Sequence, residues 1–232
     1  MLAIDIMTPA VITAGPETSV AELCRLMLES RISALPIVDK QGALVGMITE
    51  GDLLRRYESG TDKKRSRWAE MFVSDATLAA EYVKSHGRTA KDLMTLDVVT
   101  VDESTPLRTI ADMFESRGIK RVPVLREKRL VGMVSRANLL QALMASEQAA
   151  GGQATAVAPT DDAAIRAKLV AEFADKPWRP ANVIVRHGIA HLWGEITSEE
   201  ERAAMRVAAE NTPGVKGVKD HTVYPTVWPP FG

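Results

Sequence analysis

A long-range internal repeat constrains this chain more than any other feature. Asp5-Ile6-Met7-Thr8 returns 87 positions later as Asp92-Leu93-Met94-Thr95, and Val11-Ile12-Thr13 returns at the same spacing as Val98-Val99-Thr100. Leu35-Pro36-Ile37-Val38 keeps that register as Val122-Pro123-Val124-Leu125, whereas Gly46-Met47-Ile48-Thr49 returns 86 positions on as Gly132-Met133-Val134-Ser135. One residue is lost in a turn while the blocks on both sides are kept, which is the trace of a duplicated structural unit.

Each copy reads as β-α-β-β-α. A short extended segment (Val11–Thr13, Val98–Val101) precedes a helix. The first helix opens on Ser19 and Glu22 at capping-box spacing and buries Val20, Leu23, Cys24 and Met27. The second opens at Thr105 with Pro106 at the first helical position and buries Leu107, Ile110, Ala111 and Phe114. Two apolar runs then form a hairpin in each copy, Ala34–Val38 with Leu44–Ile48 and Arg121–Leu125 with Leu130–Val134. A last helix begins after Thr49 or Ser135. One such unit is too short to bury its own sheet, so the copies are expected to pack as a pseudo-twofold pair.

The full 232 residues leave room for a further small domain, and the formal net charge of -1 gives no whole-chain attraction to nucleic acid. Cys24 is the sole cysteine, so no intrachain disulfide can form. The N-terminus lacks the pattern of a secretory signal, and no apolar run approaches the roughly 20 residues of a membrane span. A cytoplasmic location is expected. Between the copies, the basic run Lys63-Lys64-Arg65-Ser66-Arg67 reads as a solvated linker face, and Trp68 and Phe72 as anchors of a linker helix.

Thr49 and Ser135 stand where a strand enters a helix, so a hydroxyl and free backbone N–H groups meet there, as a phosphate oxygen would need. One turn on, Asp52 offers two acceptor oxygens that suit vicinal ribose hydroxyls, while Asn138 offers one. Thr-x-x-Asp at a helix start is also a helix cap that needs no ligand. The two readings can coexist.

The repeated blocks resemble CBS domains over about Ile4–Leu143. In that family a paired module binds AMP, ADP, ATP or S-adenosylmethionine in clefts between the repeats, by a motif of glycine, a hydrophobic residue, any residue, Ser or Thr, two more residues, then Asp. Gly46-Met47-Ile48-Thr49-Glu50-Gly51-Asp52 matches it in full, and Gly132-Met133-Val134-Ser135-Arg136-Ala137-Asn138 matches all but the last position. The resemblance implies ligand contacts from Thr13, Ala34, Pro36, Thr49 and Asp52 in the first copy. In the second it implies Thr100, Arg121, Pro123, Ser135, Arg136 and Asn138, with Arg121 and Arg136 suited to phosphate. It also implies a homodimer.

After an Ala/Gly/Gln-rich linker, the order is α-β-β-α-β. Asp161–Ala174 is a helix with the stripe Ile165, Leu169 and Phe173. Val183–Arg186 and Ile189–Trp193 flank the turn His187-Gly188, Ser198 and Glu201 have capping-box spacing at the start of Glu199–Glu210, and Val215–Tyr224 closes as a strand. His187-Gly188-Ile189-Ala190-His191-Leu192-Trp193-Gly194 and Pro213-Gly214-Val215-Lys216-Gly217-Val218 resemble a BON domain, whose relatives are associated with phospholipid surfaces or self-association. Glu199-Glu200-Glu201 offsets the basic residues here, so strong electrostatic membrane binding is not expected. His187 and His191 are four apart, which on a helix could suit a metal ion, but in extended chain that separation is roughly 13 Å, too far to share one.

The expected organisation is an α+β chain: CBS repeat 1 at 1–60, a helical linker at 61–88, CBS repeat 2 at 89–146, a flexible linker at 147–159, the BON domain at 160–226 and a tail at 227–232. The expected function is non-catalytic sensing of an adenosyl ligand, without metal or cofactor, the BON domain engaging a protein or a phospholipid surface. The alternative is a structural or stress-related protein acting at phospholipid surfaces or by self-association, with vestigial clefts.

Overall fold

The computed structural model describes residues 1–54, 82–84, 86–150 and 161–225, with side chains to 146 in the helix that ends at 150. The basic run, the linker helix expected at Trp68 and Phe72, the tail and residues 151–159 of the second linker lie outside the described residues, whereas 147–150, expected in that flexible linker, continue the preceding helix. The elements are α1 (Ala3–Ile6), α2 (Val20–Glu29), β1 (Ala34–Val38), β2 (Leu44–Thr49), α3 (Glu50–Leu54), α4 (Ala90–Leu93), β3 (Val101–Asp102), α5 (Leu107–Ser116), β4 (Arg121–Arg126), β5 (Arg129–Ser135), α6 (Arg136–Ala150), α7 (Asp162–Phe173), β6 (Asn182–Arg186), β7 (Ile189–Glu195), α8 (Glu199–Glu210) and β8 (Gly217–Val223). The mixed α+β content and the element order agree with two related repeats followed by a small α-β-β-α-β domain.

The chain divides into two compact units, and neither coincides with a sequence repeat. One unit comprises 12–99 with 127–130; the other comprises 1–11, 100–126 and 131–232. The division arises because each copy's opening block joins the other copy's sheet. Thr95 exchanges both backbone hydrogen bonds with Met47 on β2, at 2.9 and 3.0 Å, and Thr8 does the same with Met133 on β5. The exchange accounts for the motif glycines. A Cβ added at Gly46 would lie 2.5 Å from the Met94 sulfur, and one at Gly132 would collide with the Met7 sulfur. The aspartate of each block serves locally: Asp5 accepts from Leu2 N–H, and Asp92 accepts from the N–H and hydroxyl of Thr89.

In the first unit β1 and β2 pair antiparallel, with Ala34 opposite Thr49 and Pro36 opposite Met47. Ala14, Leu23, Met27, Leu35, Ile37, Ile48, Ala90 and Leu93 form its core. The expected opening strands are shorter than the sequence suggests. In copy 1 the strand shrinks to Ala14, which donates to Pro36 O and accepts from Val38 N–H; in copy 2 it is Val101–Asp102, parallel to β4. The next rung of each ladder would need an N–H from Pro36 or Pro123, and proline has none. Thr13 and Thr100 therefore sit just outside the ladder.

Three helix starts differ from expectation. The Ser19 hydroxyl accepts from Glu22 N–H, but the Glu22 carboxylate pairs with Arg25 instead of returning to Ser19. Pro106 is the flanking residue of α5, and the helix begins at Leu107, while the Thr105 hydroxyl accepts from Asp102 N–H. The Ser198 hydroxyl accepts from Glu201 N–H, whereas the Glu201 carboxylate bonds Thr197.

The second unit contains β3-β4-β5 and the C-terminal sheet β6-β7-β8. β6 and β7 form a hairpin, and β7 and β8 run parallel. Ile165, Leu169, Phe173, Val183, Val185, Ala190, Leu192, Ile196, Met205 and Ala209 form the core between α7, α8 and one face of this sheet, as the helical and strand periodicities predict. The hairpin turn takes the left-handed conformation at His187 (φ 52°) and Gly188 (φ 80°), the backbone of a two-residue turn matched to strand twist. The opposite face of β6 packs on α6 and α1.

Candidate functional site

Within the first unit, strand β2 delivers Thr49 to the start of α3. Its N–H and hydroxyl both donate to Asp52 Oδ2, at 2.8 and 2.7 Å. Thr49 and Asp52 are half-buried, Ala34 and Pro36 are buried, and Thr13 is half-buried beside the Ala14 rung. Glu50 N–H donates to Ser33 O, fastening the helix start to the edge of β1. Among the described residues, no hydrogen bond engages Asp52 Oδ1. The cap and the candidate ligand residue are thus the same side chain, with one oxygen for each task.

Within the second unit the geometry repeats with an amide. Ser135 N–H and hydroxyl donate to Asn138 Oδ1, at 2.8 and 2.7 Å. The environment differs, for Asn138 is only 4% exposed. Its Nδ2 donates to Thr8 Oγ1 at 3.3 Å and to Gln141 Oε1 at 3.4 Å. Arg136 is exposed, and its guanidinium donates to Ile119 O. Arg121 and Thr100 are half-buried and Pro123 is buried. The residues expected in each copy thus group by unit: Thr13, Ala34, Pro36, Thr49 and Asp52 in the first, Thr100, Arg121, Pro123, Ser135, Arg136 and Asn138 in the second.

Two polar residues of the C-terminal region, Arg166 and Asn182, were not singled out from the sequence. Arg166 on α7, 5% exposed, donates through Nε to Val183 O and through a terminal nitrogen to Met7 O. Burial lowers its pKa to about 10. Asn182 donates to Ile6 O at 3.1 Å and to Gln141 Oε1 at 2.7 Å. Asp161 caps α7 through Ala164 N–H, as a helix-start acid should, but Asp162 reaches across to accept from His187 and Gly188 N–H, both at 2.8 Å. His191 Nδ1 lies 3.0 Å from His221 Nε2, and both rings stack with Trp193. Burial lowers the His191 pKa to about 4, with the His221 and Lys219 charges adding to the effect; burial also lowers that of His221. The parallel register of β7 and β8, which no local pattern encodes, brings these histidines together. Among the described residues, no three His, Cys, Asp or Glu side chains form a metal-binding group, and no helix is long and apolar enough to cross a membrane.

Comparison with known proteins agrees with this construction. The CBS domain family model matches residues 3–59 and 90–145, and the BON domain model matches 161–225. The chain is 30% identical over 139 residues to the chloroplastic CBS domain-containing protein CBSX1 of Arabidopsis thaliana, a match covering 56% of this chain and 57% of that one. It is 28% identical over 152 residues to the chloroplastic CBSX2 of the same plant, covering 60% and 62%. The chain thus spans little more than half the length of these relatives. The crystal structure of CBSX2 in complex with AMP superimposes with a TM-score of 0.56 at 28% identity, covering 63% of this chain and 98% of that chain. A putative acetoin utilization protein from Vibrio cholerae shares the fold, at a TM-score of 0.51 and 21% identity. With both repeats and the C-terminal domain matched, the chain belongs to the proteins that carry a tandem pair of CBS domains, here followed by a BON domain.

Proposed function

We propose that this chain is a non-catalytic sensor that binds an adenosyl ligand through the first CBS copy, with Asp52 as the ribose acceptor. The supporting observation is the half-engaged carboxylate. Asp52 Oδ2 holds the Thr49 N–H and hydroxyl, and Oδ1 has no partner among the described residues. The similarity to CBSX2, whose crystal structure contains AMP, supports the adenosyl class. AMP, ADP, ATP and S-adenosylmethionine share the vicinal hydroxyls that such an oxygen accepts. Thr13, Ala34 and Pro36 belong to the same unit and line the base and ribose; Thr100, Arg121, Pro123, Ser135 and Arg136 form the corresponding set of the second copy, in which the arginines favour phosphate. The protein acts as a cytoplasmic homodimer, and the BON domain passes the ligand's effect to a protein partner or a phospholipid surface.

Asn138 supplies the design of the test, because it shows that an amide preserves the local Ser/Thr box. Asp52→Asn should therefore fold as the parent does while losing the charged acceptor. A hydrogen bond to a charged group contributes about 1.5–3 kcal/mol, so calorimetric AMP affinity should fall about 10- to 100-fold. Unchanged affinity in a folded Asp52→Asn protein would refute the ribose assignment.

A further inference from the structure

The second copy departs from the first in a way that extends the adenosyl reading. We infer that Asn138, which occupies the acidic position of the second motif, is an anchor for the BON domain, and that nucleotide binding at this motif competes with BON docking. A carboxamide has two acceptor lone pairs and two donor hydrogens. Ser135 takes both acceptor directions of Asn138 through its N–H and its hydroxyl. Thr8 and Gln141 take both donor directions. No hydrogen-bonding capacity remains for a ribose, in contrast to Asp52.

The network leads into the BON sheet. Gln141, one turn along α6, spends its Oε1 on Asn138 and on Asn182, the first residue of β6. Asn182 is 3% exposed and spends its second amide hydrogen on Ile6 O, while Arg166 reaches Met7 O. Ile6 and Met7 close α1, where helix carbonyls have no intrahelical donor. BON side chains thus satisfy the end of α1, and the same strand holds the Gln141 oxygen that orients Asn138. A ligand that recruits Asn138 must break this seam from one side. A free BON domain would leave the Asn138 amide hydrogens available from the other. By linkage the two events oppose each other equally.

The test counts AMP molecules per chain by calorimetry in the full-length protein, and follows hydrogen exchange of residues 136–146 without ligand. The wild type should bind one AMP. Asn138→Asp combined with Gln141→Ala, which restores the acidic position and cuts the seam, should bind two. Gln141→Ala alone should speed ligand-free exchange of 136–146 about five- to tenfold, the effect of losing about 1–1.4 kcal/mol. Asn182→Ala cuts the seam from the BON side and should reproduce that acceleration. Two AMP in the wild type, one in the double variant, or unchanged exchange in both single variants would each overturn the inference. If the wild type binds no AMP, the adenosyl reading fails, and the exchange measurements alone decide the anchor.

Discussion

Acid should loosen the C-terminal domain through His191, and the size of the effect follows from its surroundings. The ring is 2% exposed and stacks on Trp193, and its Nδ1 faces His221 Nε2 at 3.0 Å. Lys219 lies opposite His191 in the strand register. The pair can share one hydrogen bond while neutral or singly protonated, but two charged rings would oppose N–H to N–H. The more exposed His221 takes the first proton more readily, and burial leaves His191 with a pKa of about 4 against an ordinary 6.5. Because the folded value lies below the unfolded one, the stability is fully present above pH 6.5 and is lost as pH falls toward 4. Linkage puts the loss at about 2 kcal/mol by pH 5 and about 3 kcal/mol by pH 4. For a chain of this size 1 kcal/mol moves the melting temperature by about 2–4 °C. Between pH 7 and pH 5 the wild type should therefore lose about 4–8 °C more than His191→Phe, which keeps the stack without the titration. Thermal melts at matched ionic strength measure this, and parallel curves for the two proteins would refute it.

Other consequences are equally open to measurement. Gly46→Ala should destabilise by about 1–3 kcal/mol in thermal or urea unfolding, since the new methyl would meet Met94 at its sulfur and also at its Cβ, 3.0 Å away, so turning the thioether aside is not enough. Met94→Ala removes the sulfur and Cγ but keeps the Cβ, so it should restore part of that loss in the double variant, and an equal penalty in both backgrounds would show that the contact is not the cause. Asp162→Ala should cost about 1–2 kcal/mol and speed exchange of the His187 and Gly188 amides, which lose a charged acceptor. Unaltered exchange at those two amides would mean that the turn holds without it. The loss of AMP affinity in Asp52→Asn and the AMP count in the seam variants complete the set.

Local chemistry was legible in the one-dimensional pattern. The duplication placed both hairpins, the 3.6-residue stripes located α2, α5 and α7, and His187-Gly188 marked the tight turn, because turn conformation and helix amphipathicity depend on residues only a few positions apart. The motif residues of each copy also fall within a single unit, Thr13 to Asp52 in one and Thr100 to Asn138 in the other. Four features depended on contacts between segments far apart in the chain. The opening blocks trade places, so Gly46 is explained by Met94 and Gly132 by Met7. The first strands stop short where Pro36 and Pro123 withhold a donor from a partner that only the parallel register identifies. The parallel β7–β8 register joins His191 to His221. Asn138 and Asn182 look like ordinary polar residues until burial shields them from water and the half-buried Gln141 arrives between them to accept from both amides. Periodicity and capping are short-range and can be read from the sequence, whereas satisfying a buried polar group depends on which distant segment arrives beside it, and only the folded chain decides that.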